Sequence, residues 1–252
     1  MIVMESCTKI SVICVYNNTK QLESELLKSL RIQDVEYELV LVDNGNKQYS
    51  SAAKALNHGA GQANGEYLIF THQDITLKEK NALRDFSDAI KYAGDGSIIG
   101  AAGALEGEVD NKSNFTDGVN VDYSIVRNCS ENIQEVSCID EAFFGMTKET
   151  WQRHHFDEEL CDNWHLYAVE ASLYARKHGF SVLLKPVQIH HSSLGHISQD
   201  YMRTLKRLCK AYRRDFKRIW TTCYKVRTNP IYIETLITVW KLNRIIRRKS
   251  LD

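Results

Sequence analysis

Asp74 closes the stretch Tyr67-Leu68-Ile69-Phe70-Thr71-His72-Gln73-Asp74-Ile75, in which an apolar strand pattern runs into a polar triplet. A carboxylate at the carboxyl end of a strand faces the crevice where open parallel sheets bind ligands. A hard divalent cation on a diphosphate needs only one or two carboxylates, because phosphates and waters complete its shell. A cap made by Asp74 or Thr76 on a following helix is the simpler alternative. His72 lies near the same mouth. His190-His191, with His196 beyond, ends a second apolar run and suits either the completion of a metal site or an ordinary surface or core position. Glu170, just after Trp164-His165-Leu166-Tyr167, suits a general base acting on a hydroxyl, or a first-turn acid favoured by the helix dipole. Trp164 and Tyr167 offer a sugar-stacking surface or two core aromatics. Asp43, ahead of Asn44-Gly45, reads as a contact to a nucleotide base or ribose, or as a turn acid.

These residues need a frame. Residues 9–15 read as a buried strand followed by the polar turn Tyr16-Asn17-Asn18, and Leu22, Leu26, Leu27 and Leu30 mark an amphipathic helix over 20–32. Residues 38–42 form a second strand that stops at Asp43-Asn44-Gly45-Asn46. A small-residue helix over 50–63 precedes the strand at 67–70. A helix over 78–93 and a strand over 98–104 follow. That alternation predicts a mostly parallel sheet with helices on both faces. Residues 105–135 read as a polar loop with a short hairpin, 135–139 as a strand ending at Asp140-Glu141, 147–154 and 167–178 as helices, and 181–184 and 187–190 as strands. From about 199 onward helix is favoured, with Pro230 as a break. No Gly-x-Gly-x-x-Gly follows the first strand, so a dinucleotide fingerprint is absent.

The totals narrow the classes. The chain has 252 residues, 43% hydrophobic and 25% charged, which suits one domain with an appendage: 1–198 as the domain, 199–252 as a basic helical extension. No apolar run reaches the roughly 18 residues of a membrane helix, and no signal-peptide pattern opens the chain. Seven scattered cysteines without a Cys-x-x-Cys pair argue for free thiols in a reducing cytosol. The net charge of zero conceals an acidic body and a basic tail: residues 201–252 hold 15 Lys and Arg against 3 acids.

The order of these signals is more informative than each alone. Val-Ile-Cys-Val-Tyr-Asn-Asn, Leu-Val-Asp-Asn-Gly, Asn57-His58-Gly59 and the Gly-Glu-Tyr-Leu-Ile-Phe-Thr-His-Gln-Asp-Ile stretch resemble the family-2 glycosyltransferases of the GT-A fold. Phe156-Asp157-Glu158, Trp164-His165-Leu166-Tyr167 and His190-His191-Ser192-Ser193 resemble more narrowly the bacterial branch related to the streptomycin-biosynthesis type domain; the match covers about residues 8–197. The resemblance implies Tyr16 and Asn17 beside the nucleotide, Asp43 reading its base, and His72-Gln73-Asp74 in place of the family's Asp-x-Asp. Asp74 then carries a divalent cation, Mn2+ or Mg2+, with the diphosphate, and His190 matches the late histidine that completes the metal site, with His191 as the alternative. The family's Glu-Asp pair falls at Val169-Glu170, which makes Glu170 the base with Asp140 and Asp162 as rivals. Asp140, Trp164, His165 and Tyr167 are expected on the acceptor side.

The implied reaction is inverting transfer from a nucleotide-diphosphate sugar, foremost a UDP-sugar, to a sugar or lipid-linked sugar acceptor in bacterial surface polysaccharide or glycoconjugate synthesis. The loss of the first acid of each pair motivates a rival reading, a catalytically inert nucleotide-sugar-binding protein. The basic tail is either a solvated helix face or an attachment to the anionic cytoplasmic leaflet, so the expected location is cytoplasmic, at the inner face of the membrane. Nucleic acid is not an expected partner, since the −12 balance of residues 1–200 works against it.

Overall fold

The computed structural model describes residues 10–106, 133–193 and 197–249. The polar segment read as a loop with a hairpin lies mostly outside them. β1 (Ile10–Tyr16) is followed by a helical stretch made of α1 (Thr19–Leu22), a π-turn (Glu23–Leu27) and α2 (Lys28–Leu30). β2 (Tyr37–Asp43), α3 (Ala52–Gln62), β3 (Tyr67–His72), β4 (Ile75–Leu77) and α4 (Ala82–Ala93) come next. Then come β5 (Ile98–Gly100), β6 (Gly103–Ala104), β7 (Gln134–Glu135), β8 (Cys138–Ile139), β9 (Phe143–Thr147), α5 (Lys148–Arg153) and α6 (Tyr167–Lys177). The chain continues through β10 (Val182–Leu184), β11 (Ile189–His191), α7 (Gln199–Tyr212), β12 (Arg218–Trp220), β13 (Lys225–Arg227) and α8 (Pro230–Lys249).

A seven-stranded sheet in the order β2-β1-β3-β9-β5-β10-β7 forms the middle layer. β2, β1 and β3 run parallel, as the alternation of strands and helices predicts. β9 then enters antiparallel between β3 and β5, and β7 closes the far edge antiparallel to β10. The strand expected over 98–104 is divided into β5 and β6, and β6 pairs with β8 in a separate ribbon. β9 is the central strand of the sheet that the sequence pattern does not announce. Its Phe-Phe-Gly-Met-Thr run is buried at every position, so it has no alternation to reveal it.

Cores lie on both faces. On one, α2 and α4, the latter through Phe86, cover Val12, Ile69 and Phe143. On the other, α3 and α6 cover Ile13, Leu68, Phe70 and Phe144. α3 begins at Ser51, whose side chain accepts the Lys54 N–H. A Cβ at Gly59 would come within 2.8 Å of Ile13 Cγ2 and 2.9 Å of Val42 Cγ2, so glycine is what lets this helix approach β1 and β2.

A third core joins residues on both sides of position 198: Leu166, Val169 and Leu173 pack with Leu205, Leu208, Trp220 and Ile233. The division expected at 198/199 therefore does not coincide with a break in packing. Nor is the tail all helical, since the β12–β13 hairpin separates α7 from α8. Among the described residues no helix is long and apolar enough to cross a membrane, and Cys14, Cys138, Cys161, Cys209 and Cys223 are free thiols.

Candidate active site

The carboxyl ends of β1 and β3 open into a cavity of about 220 Å3. Tyr16, Asn17, Asn44, His72, Gln73 and Asp74 line one side, and Glu141, Trp164 and Tyr167 the other. Gln73 clamps the turn after β1: its Oε1 accepts the N–H groups of Asn17 at 2.9 Å and Asn18 at 3.0 Å, and its Nε2 donates to Asn17 Oδ1. Asp43 is exposed and does not line the cavity. It sits in register beside Tyr16, and its Oδ1 accepts the Gly45 N–H at 2.7 Å, the geometry of a turn acid.

Asp74 does not cap a helix. The residues after it form β4, which pairs antiparallel with β11 and brings His191 opposite Ile75. His191 Nε2 lies 3.2 Å from Asp74 Oδ1, and His72 Nδ1 lies 4.0 Å from the same oxygen. His72, Asp74 and His191 offer ligand atoms that all fall within 4.8 Å of one another. The histidine drawn into this group is thus His191 and not His190. Successive side chains of a strand point to opposite sides, so only one of two adjacent histidines can face Asp74. His190 instead pairs across the ribbon with Thr76 and has a covered Nδ1 without a hydrogen-bond partner.

Electrostatics prepare the group for a cation. Burial alone would raise the Asp74 pKa, but the hydrogen bond and charge of His191, then His72 and Ser193, outweigh it and hold the carboxyl at about 2. Burial, aided by the neighbouring His191, holds His72 at about 4, so its ring is neutral and keeps a lone pair. Its Nε2 is engaged with Tyr167 Oη at 3.1 Å, which leaves Nδ1 on the Asp74 side. A carboxylate beside two imidazoles fits a divalent cation, and the Tyr167 hydroxyl is the kind of outer partner that orients a ligating ring.

Glu170 lies elsewhere. It is 1% exposed, absent from the cavity wall, and held by Tyr212 Oη at 2.6 Å and by His154 Nε2 at 3.0 Å. The acid expected as the base is thus buried and hydrogen-bonded to α7 and to the residue that follows α5. Its rivals are also occupied. Asp162 Oδ2 pairs with Arg207 at 2.7 Å, while Asp140 accepts the Ala142 N–H at 3.0 Å and the Thr222 hydroxyl at 2.9 Å. That last contact comes from the β12–β13 turn, so the C-terminal segment touches the residue that precedes Glu141.

Glu141, which the sequence reading did not single out beyond the end of a strand, is the acid in the wall. Its Oε1 is covered and has no hydrogen-bond partner. Burial and then the neighbouring Asp140 push its pKa well above the usual carboxylate range, against the pull of backbone N–H groups of Tyr167, Leu166 and Ala168. Those N–H groups are presented at the start of α6 by Leu166, whose φ of 68° is left-handed, a conformation that costs a non-glycine residue about 1–3 kcal/mol and tends to persist at functional sites. Trp164, beside it, is 42% exposed. His165 turns away from the wall to meet Tyr201 edge to face.

A family model described as "Glycosyltransferase like family" matches residues 11–212. A search of curated proteins finds no match. Among solved structures, GalNAc-T7 with UDP, GalNAc and Mn2+ is similar at a TM-score of 0.55 and 14% identity, over 81% of this chain and 48% of that one. Residues 1–349 of S. aureus TarS are similar at a TM-score of 0.50 both with UDP (19% identity, 80% of this chain, 64% of that one) and with UDP-GlcNAc (18%, 80% and 65%). This chain therefore spans less than two thirds of the length of each. The likeness establishes the fold, that of the GT-A glycosyltransferases.

Proposed function

This chain belongs to the glycosyltransferase-like family, and from that premise we propose that it moves a sugar from a nucleotide-diphosphate donor, foremost a UDP-sugar, to an acceptor hydroxyl with inversion. The observation that carries the reading is the placement of His72 and Asp74 across one cavity from Glu141, Trp164 and Tyr167. The UDP in the TarS structure and the UDP and Mn2+ in the GalNAc-T7 structure support the donor class and the cation. His72, Asp74 and His191 would hold the ion, which when bound supplies positive charge to the leaving diphosphate.

The chain's own residues do the rest. Asp74 stays ionised at any working pH and His72 stays neutral, so neither needs to lose a proton to bind a cation. The Gln73 clamp fixes the Asn17–Asn18 turn beside the nucleotide. Trp164 gives the acceptor a flat apolar surface. Glu141 takes the place expected for Glu170: its unpartnered Oε1 accepts the proton of the acceptor hydroxyl as that oxygen attacks the anomeric carbon from the face opposite the diphosphate. A carboxyl with a raised pKa is a stronger base once ionised. The acceptor we favour is a sugar or lipid-linked sugar of bacterial surface polysaccharide, and the branch is the streptomycin-biosynthesis type that the motifs resemble. A panel of nucleotide-sugars with Mn2+, read by thermal shift and by product analysis, tests the reading. Stabilisation by a UDP-sugar with transfer or slow hydrolysis is expected. No shift with any nucleotide-sugar would overturn it, and a shift without turnover would favour the inert binding protein.

A further inference from the structure

The far side of the third core carries a second cavity, unrelated to the first, of about 790 Å3. Arg213, Arg214, Lys217 and Arg227 line it together with Ile231 and Tyr232. All four cations are exposed, and none forms an ion pair among the described residues. The contrast with the preceding turns of α7 is sharp: Arg203 and Arg207 pair with Asp162, and Lys206 pairs with Glu234. Pairing thus takes up Arg203, Lys206 and Arg207 on α7, whereas Arg213, Arg214 and Lys217 lie together where α7 ends and the hairpin meets α8.

α8 adds the second observation. Ile233 and Ile237 face the body of the protein and are buried. Ile231, Val239 and Leu242 are 78%, 48% and 53% exposed, and Tyr232 is 38% exposed. Positions 231, 235, 239 and 242 follow one another along a helix at i, i+4, i+8 and i+11, so three bare apolar residues form a stripe opposite the packed face. A helix with one face on its own protein, another apolar face uncovered, and cations at its start matches an element that lies in the headgroup region of a bilayer. No described helix can cross one. A polyanion without an apolar phase, such as nucleic acid, would leave the stripe unused.

We infer that this face, the cleft of Arg213, Arg214, Lys217 and Arg227 with the outer stripe of α8, docks the protein on an anionic phospholipid surface. Phosphates would occupy the cleft, and Ile231, Val239 and Leu242 would enter the acyl boundary. The inference stands apart from the transfer reaction, because the surface shares no lining residue with the donor cavity and vesicle binding needs no donor.

The test is sedimentation of the full chain with vesicles of phosphatidylcholine alone and with about 30 mol% phosphatidylglycerol, at low and high salt. Binding at least about tenfold stronger to the anionic vesicles, weakening with salt, is expected. The triple change Arg213→Glu, Arg214→Glu, Lys217→Glu should abolish that preference. The double change Val239→Ser, Leu242→Ser should weaken anionic binding several-fold while its salt dependence remains. A UDP thermal shift on each variant reports whether the fold and the donor site survive. Equal binding to neutral and anionic vesicles, full binding by the folded triple variant, or tighter binding to duplex DNA at matched phosphate concentration would overturn the inference.

Discussion

Two acids at the two sides of α6 show how differently one fold treats a buried carboxyl. Glu170 is wholly enclosed, yet Tyr212 and His154 satisfy it, and the three groups tie α5, α6 and α7 together. Glu141 has an oxygen with no partner, beside a cavity large enough for a reacting group. Burial is common to both. What separates a strut from a base is whether the hydrogen-bonding capacity of the acid is already used.

The largest effect that would break this comparison is on turnover. Glu141→Gln should lower kcat by about 10^2–10^4 while the protein stays folded, the range expected for losing a general base. Glu170→Gln should leave kcat nearly intact and lower stability by about 1–3 kcal/mol, the cost of disturbing a buried hydrogen-bonded group. Denaturant titration and steady-state kinetics on the same two preparations decide it, and the opposite pattern would restore Glu170 as the base. Next in size, Asp74→Asn or His191→Ala should cut transfer by about 10^2–10^3 and remove the Mn2+ dependence of the UDP thermal shift, whereas His190→Ala should leave that dependence in place.

Tyr212→Phe sharpens the strut side. It deletes the 2.6 Å bond to Glu170 without changing the shape of the ring, and should lower stability by about 1–3 kcal/mol with KM unchanged.

The smallest effect is in pH dependence. Because the folded-state pKa of Glu141 lies above its unfolded value, the unfolded chain releases this proton first. The group's contribution to stability is then full below an unfolded pKa of about 4.3 and is lost as pH rises through the folded value, at no more than about 1.4 kcal/mol per pH unit. Metal-free thermal melts should show wild type falling relative to Glu141→Gln as pH rises from 4 to neutrality; parallel curves would refute the raised value. Turnover should rise as pH passes through the raised pKa of Glu141.

Much of the frame is legible in the chain. Apolar runs at 9–15, 38–42 and 67–70 appear as β1, β2 and β3 within a residue or two, and the helices between them carry their own periodic signals and caps. The position of Asp74 at a strand end is legible for the same reason: strand, triplet and turn are local patterns. β9 is not, because a strand buried on both faces looks like any short apolar run, and its place between β3 and β5 depends on partners more than 40 residues away in the chain. His191 could not be told from His190 until the pairing of β11 with β4 fixed which ring faces Asp74.

The sequence by itself determined the family, the alternating α/β frame and an acid at the end of β3, since each is written in short-range spacing. Only the tertiary structure decided which of several acids keeps an oxygen without a hydrogen-bond partner and which cations are drawn into ion pairs. Glu141 is set apart from Glu170, and Arg213 from Arg207, by the groups that folding brings against them. Charge and hydrogen-bonding capacity belong to a residue, but whether they remain available depends on neighbours that are distant in the chain.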